Sequence, residues 1–189
     1  MQDELTLEER TTLLRLARQA LELGVRGENV PAVDKSTLTA KLREDGASFV
    51  TLTARGELRG CIGALEPYQS LVDDVREHAV AAALDDPRFP AVSERELNGI
   101  QIEVSRLTRP VLLDYKDVSD LLSKLRPHVD GVILRDSIHR ATFLPQVWEK
   151  IPNPADFLSN LCYKMGLPPD AWRTRHLDVF TYQAEEFHE

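Results

Sequence analysis

The stretch SFVTLTARGELRGCIG, residues 48–63, decides the fold. Residues 48–54 alternate apolar and hydroxyl side chains, which is the pattern of a strand with one buried face. A short connection containing glycine follows at residues 55–57, and residues 58–62 return as a second strand. Because so short a connection joins antiparallel strands, the stretch predicts a β-hairpin.

Helix and strand signals surround this hairpin. Thr6 and Glu9 have the spacing of a capping box, and leucines and alanines then recur every three or four residues, which predicts a helix over residues 7–23. Ser70 predicts the start of a second helix and Pro87 its end. The other predicted elements are helices at residues 36–44, at 119–125 and after Asn153-Pro154, and strands at residues 100–105, 132–135, 140–144 and 177–184.

The connections between these elements favour one fold class. Hairpin-length connections favour antiparallel pairing over a doubly wound parallel sheet, so we predict an α+β fold with a mainly antiparallel sheet flanked by helices. A chain of 189 residues corresponds to about one domain, and we expect a single domain over residues 1–189 that can be built as two lobes. The loops around residues 25–35 and 145–155 are the predicted lobe boundaries.

The composition limits the classes of function. Hydrophobic residues make up 42% of the chain and charged residues 29%, which is typical of a globular protein. Acidic residues outnumber basic ones by 31 to 23, and the net charge of −8 argues against binding to nucleic acid or to an anionic membrane surface. The longest apolar run, residues 79–84, is too short for a membrane span. Two cysteines and an opening without a secretion-signal pattern favour a cytoplasmic location.

The glycines of residues 58–63 single out Cys61 as the candidate reactive group. Glycine normally weakens a strand, and it often marks a place where a ligand or another backbone comes close. Gly60 and Gly63 are therefore expected to leave the thiol of Cys61 accessible. Arg59 lies two positions before Cys61 and would share its face on a regular strand, where the positive charge would favour the thiolate. A bulge at Gly60 would break this alternation.

Three interpretations of this segment stay open. In the first, Cys61 is a nucleophile, and His78 is the nearest histidine in the sequence that could act as its base. In the second, the backbone amides of residues 60–63 bind an anion together with Arg59. In the third, the glycines serve close packing and Cys61 is a small buried side chain.

Three further residues are candidates for ligand binding. Neighbouring prolines would hold Arg88 in place to grip an anion, or Arg88 pairs with an aspartate of the same loop and only shapes that loop. Glu103 lies on the polar face of its strand, which either lines a binding cleft or is solvated. Gln146 would hydrogen-bond a ligand at the wall of a cleft. The histidines and cysteines show no metal-ligand spacing, so no metal and no other cofactor is predicted.

Three blocks of the sequence, in order, resemble the AMMECR domain family, also called AmmeMemoRadiSam system protein A. The blocks are LRGCIG at residues 58–63, DDPRFPAVSERELNGIQIEVSRLTRP at residues 85–110, and ATFLPQVW at residues 141–148 with FLSNLCYKMGLPPDAW at residues 157–172. The resemblance covers nearly the whole chain. It implies an α+β fold with a larger and a smaller lobe and a cleft between them. It also implies that prokaryotic members are associated with a dioxygenase-like protein and a radical-SAM protein, but it brings no settled reaction.

Two hypotheses for the function follow. In the first, a cleft centred on residues 59–63 binds a small, anionic molecule, and Cys61 is the nucleophile of a thiol-dependent transferase or hydrolase. Arg59 then holds the anion, and Gly60 and Gly63 let the ligand approach. In the second, the same surface belongs to a non-catalytic accessory module, which docks a protein or presents a substrate to the dioxygenase-like or radical-SAM partner.

Overall fold

Helices and strands interleave along residues 4–189, which are the residues that the computed structural model describes. The helices are α1 (Leu7–Val25), α2 (Ala40–Arg43), α3 (Leu71–Leu84), α4 (Val118–Lys124), α5 (Pro154–Lys164) and α6 (Ala171–Thr174), with short 3-10 helices at Lys35–Thr37, Glu94–Gly99 and Pro145–Glu149. The strands are β1 (Asp45–Ala54), β2 (Glu57–Gly63), β3 (Gln69–Ser70), β4 (Ile100–Leu107), β5 (Val111–Leu112), β6 (Gly131–Arg135), β7 (Arg140–Phe143), β8 (Asp178–Tyr182) and β9 (Ala184–His188).

Two compact units divide the chain. The first unit comprises residues 4–107 and 185–189, and the second comprises residues 108–184. The first unit is discontinuous in sequence because β9, at the end of the chain, returns to pair with β4. Both units contain helices and a sheet of their own.

The lobe boundaries predicted from the sequence are wrong. The loops around residues 25–35 and 145–155 each lie inside one unit. The strand predicted at residues 177–184 is β8 of the second sheet, which ends at Tyr182. After Gln183 the chain enters β9 of the first sheet at Ala184. A run of alternating residues does not show where the chain passes from one sheet to another.

The sheet of the first unit has the strand order β2-β1-β4-β9, and β3 also pairs with β1. The predicted hairpin is present, since β1 pairs antiparallel with β2, and β1 also pairs antiparallel with β4. The face of this sheet that carries Val50, Leu52, Ile102 and Val104 is fully buried in a core that α1 and α3 complete. Each such side chain contributes about 1.5–3 kcal/mol by leaving water.

The sheet of the second unit has the strand order β5-β8-β6-β7, and all of these pairs are antiparallel. Val132 and Leu134 of β6 face a core that contains Trp148 and Phe157. The rings of Trp148 and Phe157 are stacked with their centroids 3.6 Å apart, and the indole N–H of Trp148 donates to the carbonyl oxygen of Asp130 across 2.7 Å. The buried indole therefore has the hydrogen-bond partner that it needs.

The predicted α+β class with mainly antiparallel sheets is confirmed. The predicted capping box is also present at the start of α1. Thr6 Oγ1 accepts a hydrogen bond from the backbone N–H of Glu9, and the Glu9 carboxylate accepts one from the backbone N–H of Thr6. Over residues 4–189, the helices are too short or too polar to cross a lipid bilayer.

Candidate functional site

Cys61 lies in a row of side chains on the outer face of the first unit's sheet. Cys61 of β2 is opposite Thr51 of β1, and Thr51 is in turn opposite Glu103 of β4. Their neighbours Leu52 and Ile102 are fully buried in the core. Because side chains alternate along a strand, the three residues point to the other face, and we call them the Cys61 row. All three are half-buried.

Cys61 is half-buried, and its thiol accepts a hydrogen bond. Thr51 Oγ1 donates to Cys61 Sγ across 3.3 Å. A donor directed at sulfur stabilises the negatively charged thiolate more than the neutral thiol. The other cysteine, Cys162, is fully buried in the core of the second unit, and burial raises the pKa of its thiol. Of the two cysteines, Cys61 is therefore the one suited to chemistry.

Asp86 fixes the backbone of Cys61 from the loop that follows α3. The buried carboxylate of Asp86 accepts a hydrogen bond from the backbone N–H of Cys61 across 2.8 Å. It also accepts hydrogen bonds from the backbone N–H and the guanidinium of Arg88. Hydrogen bonding from Arg88 holds the pKa of Asp86 well below its usual range, so this carboxylate stays charged.

Arg88 places a positive charge beside Cys61. Its Nη2 donates to the carbonyl oxygen of Cys61 across 3.2 Å and to Asp86 Oδ2 across 2.6 Å. Hydrogen bonding with Asp86 raises the pKa of the guanidinium. The side chain is 54% exposed, and its Nη1 makes no hydrogen bond within residues 4–189. Arg88 thus pairs with an aspartate of its loop, as one of the two interpretations predicted, and still presents charge to solvent.

Arg59 has a different role from the one expected. Its Nε donates to Glu96 Oε1 across 2.8 Å, and its Nη atoms donate to the carbonyl oxygens of Pro90 and Ala91. The ion pair with Arg59 lowers the pKa of Glu96 to about 2. The pairing of β1 with β2 also shifts register at this point, since Leu52 is opposite Gly60 but Thr53 is opposite Leu58.

Arg59 is therefore the extra residue of a β-bulge, and the expectation that it shares a face with Cys61 is wrong. The positive charge beside Cys61 comes from Arg88, and the guanidinium of Arg59 ties β2 to the segment after α3.

The two glycines serve close packing. A Cβ at Gly60 would overlap with the carbonyl oxygen of Ala82 in α3, and a Cβ at Gly63 would overlap with the ring of Phe49 and the carbonyl oxygen of Ser48. The space beside each glycine is therefore filled by the protein itself. Cys61 itself is half-buried on the outer face of the sheet, and the glycines open no space beside it.

His78 lies on the opposite side of the sheet from Cys61, which corrects the prediction that it is the base. Gly60 faces α3, so its neighbour Cys61 faces away from that helix. His78 Nδ1 lies 3.2 Å from Oδ2 of the buried Asp74, and Asp74 accepts a hydrogen bond from Ser48. This cluster joins α3 to β1, and His78 cannot take a proton from Cys61 through the sheet.

Glu103 and Gln146 lie in different units. Glu103 belongs to the Cys61 row, whereas Gln146 lies in the second unit, on the 3-10 helix Pro145–Glu149. In the part of the chain that the structure describes, no group of three or more histidines, cysteines and carboxylates is arranged to hold a metal ion. Thr51 and Asp86 form hydrogen bonds with Cys61, but neither was among the site residues predicted from the sequence.

The chain is similar to known proteins over nearly its whole length. The AMMECR1 family model matches residues 14–187 of the chain. A protein from Methanothermobacter thermautotrophicus is 41% identical over 98% of this chain and 96% of its own length. Protein MJ0810 from Methanocaldococcus jannaschii is 35% identical over 98% and 92%. The crystal structure of the uncharacterized protein PH0010 from Pyrococcus horikoshii has a TM-score of 0.79 and 34% identity, with 98% of this chain and 93% of that chain covered.

These similarities place the molecule among proteins that share its α+β fold. The chain belongs to the AMMECR1 family. The predicted family is confirmed, and it leaves the reaction open, since PH0010 is itself described as uncharacterized.

Proposed function

We propose that the Cys61 row, together with Arg88, is a site that binds a small anionic molecule and uses the Cys61 thiolate as a nucleophile. The protein would then be a thiol-dependent transferase or hydrolase. One observation supports this most strongly: the half-buried thiol accepts a hydrogen bond from Thr51 while the Arg88 guanidinium bonds the same residue's carbonyl oxygen. A thiol that lies beside a hydrogen-bond donor and a guanidinium has the surroundings typical of a nucleophilic cysteine.

The row supplies the groups that acyl transfer needs. The thiolate attacks the carbonyl carbon and a C–S bond forms. The bond between that carbon and the leaving group breaks, and a leaving group that needs a proton takes it from solvent. Glu103 contributes a carboxylate at the far end of the row, roughly 9–10 Å from Cys61 at the backbone, which is two strand spacings. That separation leaves room for a water molecule, which Glu103 can activate to release the acyl group. The free Nη1 of Arg88 is suited to hold a carboxylate or phosphate of the substrate.

Covalent trapping tests this proposal. Native protein is incubated with p-nitrophenyl acetate, and the acetylated residue is located by peptide mass spectrometry. We expect acetylation at Cys61, none at the buried Cys162, and loss of p-nitrophenolate release in Cys61→Ser. The proposal is contradicted if Cys61 stays unmodified or if Cys61→Ser releases p-nitrophenolate at the wild-type rate.

A second candidate function is a non-catalytic module that docks a protein of the dioxygenase-like or radical-SAM kind. The observation in its favour is that most of the LRGCIG segment is used internally. Arg59 is paired with Glu96, and Gly60 and Gly63 are packed against backbone and a ring. Such a segment makes a rigid surface. Under this alternative, Cys61→Ser keeps its affinity for the partner, and no acetylated intermediate forms. For both candidates we propose the cytoplasm as the location, where a thiol such as Cys61 stays reduced.

A further inference from the structure

An aromatic side chain, Phe49, lies beside the Cys61 row and has no part in the proposed function. Phe49 is two positions before Thr51 on β1, so both side chains point to the outer face of the first unit's sheet. Phe49 is directly opposite Gly63 of β2 and Ser105 of β4. These three residues form a second row, next to the Cys61 row, with an aromatic ring at its centre.

The ring of Phe49 leans toward β2 and lies over Gly63. A Cβ at Gly63 would overlap with Cγ and Cδ1 of this ring. Gly63 is two positions after Cys61 on the same strand, so the two positions face the same way, about 6–7 Å apart at the backbone. The ring therefore fills the space next to Cys61 that a side chain at position 63 would otherwise occupy.

Part of the Phe49 side chain stays exposed. Phe49 is half-buried, and its neighbours on the adjacent strands are Gly63 and Ser105. Glycine has no side chain, and the side chain of serine is too short to cover an aromatic ring. Phe49 thus presents apolar surface on the face of the sheet to which Cys61 points.

The other side of the Cys61 row carries a different apolar group. Leu58 is opposite Thr53 and is 44% exposed. The bulge at Arg59 lies between Leu58 and Cys61, whereas Phe49 is in regular register with Cys61. Leu58 is also a branched aliphatic side chain with no flat surface. Of the two apolar neighbours, Phe49 is therefore the one on which a planar group can stack.

We propose that Phe49 selects the acyl group of the substrate, and that this acyl group ends in an aromatic ring. The inference rests on the proposed function, because it needs an acyl group carried by Cys61. When the Cys61 thiolate attacks an arylacetyl ester, a C–S bond forms and the bond to the leaving group breaks. A carbonyl and a methylene group then join the sulfur to the aromatic ring, which can lie over the neighbouring position and pack on Phe49. Paired aromatic rings gain stability beyond the burial of their area, and an acetyl group has no ring to contribute.

Two esters with the same leaving group test this preference. The rates at which p-nitrophenyl phenylacetate and p-nitrophenyl acetate acylate Cys61 are followed by p-nitrophenolate release, and peptide mass spectrometry locates the product. The phenylacetate-to-acetate ratio is then divided by the same ratio for N-acetylcysteine, which corrects for the intrinsic reactivity of the two esters. We expect the ratio to be about 3- to 10-fold higher for the protein than for the free thiol.

The outcomes separate this inference from the proposed function. If the acetate labels Cys61 but the protein and the free thiol give equal ratios, the preference for an aromatic acyl group is overturned and the proposed function stands. If neither ester labels Cys61, the proposed function itself fails, and this inference fails with it.

Variants assign the preference to Phe49. Phe49→Ala should lower the ratio to that of the free thiol, whereas Phe49→Tyr keeps the ring and should keep the preference. Leu58→Ala is the matched control, because it removes an apolar side chain from the other side of the Cys61 row, and it should give the wild-type ratio. If Phe49→Ala does not fold, Phe49→Leu takes its place, since leucine is apolar but has no flat ring, and it should lose the preference as well. A wild-type ratio in Phe49→Leu, or a loss of preference in Leu58→Ala alone, would overturn the assignment.

Discussion

The carboxylate of Asp86 accepts a hydrogen bond from the backbone N–H of Cys61 across 2.8 Å. The bond joins the loop after α3 to the middle of β2, so a residue 25 positions away in the chain fixes where the thiol sits. Asp86 is almost completely buried, and its carboxylate forms an ion pair with the guanidinium of Arg88. We therefore regard Asp86 and Arg88 as a clamp on Cys61.

Replacing Asp86 should destabilise the protein. Asp86→Asn removes the charge that Arg88 pairs with and leaves buried hydrogen-bonding groups poorly satisfied, which costs about 1–3 kcal/mol. Urea unfolding midpoints measure the loss. The adjacent Asp85 is exposed, so Asp85→Asn is the matched control and should change stability by less than about 0.5 kcal/mol. Equal midpoints for wild type and Asp86→Asn would contradict the clamp.

The contribution of Asp86 should depend on pH. Its pKa is lowered in the folded protein relative to the unfolded value of about 3.9. Its stabilising effect is therefore complete above about pH 4 and is lost as the pH falls through the folded pKa. The difference in unfolding free energy between wild type and Asp86→Asn should shrink as the pH is lowered below about 4. Glu96 also has a lowered pKa, but it is present in both proteins, so its effect on stability cancels in the difference. A difference that grows as the pH falls would contradict a lowered pKa for Asp86.

Gly60 should be far less tolerant of a side chain than Gly99. An alanine at position 60 would overlap with the backbone carbonyl of Ala82, which cannot move without shifting α3. Such overpacking costs about 1–3 kcal/mol. Gly99 has open space at its Cβ position and no positive φ, so Gly99→Ala is the control. Thermal unfolding should show a clearly lower midpoint for Gly60→Ala alone, and equal midpoints would mean that the strand and the helix are not in close contact.

His78 should not affect the reactivity of Cys61. The sheet lies between them, and His78 contacts Asp74 on the side of α3. The rate at which iodoacetamide alkylates Cys61 in His78→Gln should match that of the wild type, with peptide mapping used to follow Cys61 alone. A clearly slower alkylation of Cys61 in a folded His78→Gln variant would mean that His78 does interact with the thiol.

The hairpin and the fold class could be predicted from the sequence because they depend on local patterns of residues. Alternation over residues 48–54 and the short connection at residues 55–57 fix two strands and their direction, and the structure contains both. The capping box at Thr6 is equally local. Such patterns need no knowledge of distant residues.

The site was only partly predictable because its contacts are long-range. Cys61 and Glu103 were both candidates, but only the pairing of β1 with β4 shows that they share a row with Thr51. Arg59 and His78 were chosen for nearness in sequence, which does not reveal a bulge or the face of the sheet on which a side chain lies. The glycines were correctly predicted to mark a close approach, but the group that approaches Gly60 is the carbonyl of Ala82 in the same chain.

The most direct test of the account compares the alkylation rate of Cys61 in the wild type and in Arg88→Gln at neutral pH. Arg95 is exposed on the Glu94–Gly99 helix, and Arg95→Gln serves as the control for loss of one positive charge. We expect Arg88→Gln to slow alkylation roughly 3- to 10-fold, because the thiolate loses its neighbouring cation, and Arg95→Gln to have no effect. Equal rates in all three proteins, or a Cys61 that does not react in the native wild type, would contradict the proposed site.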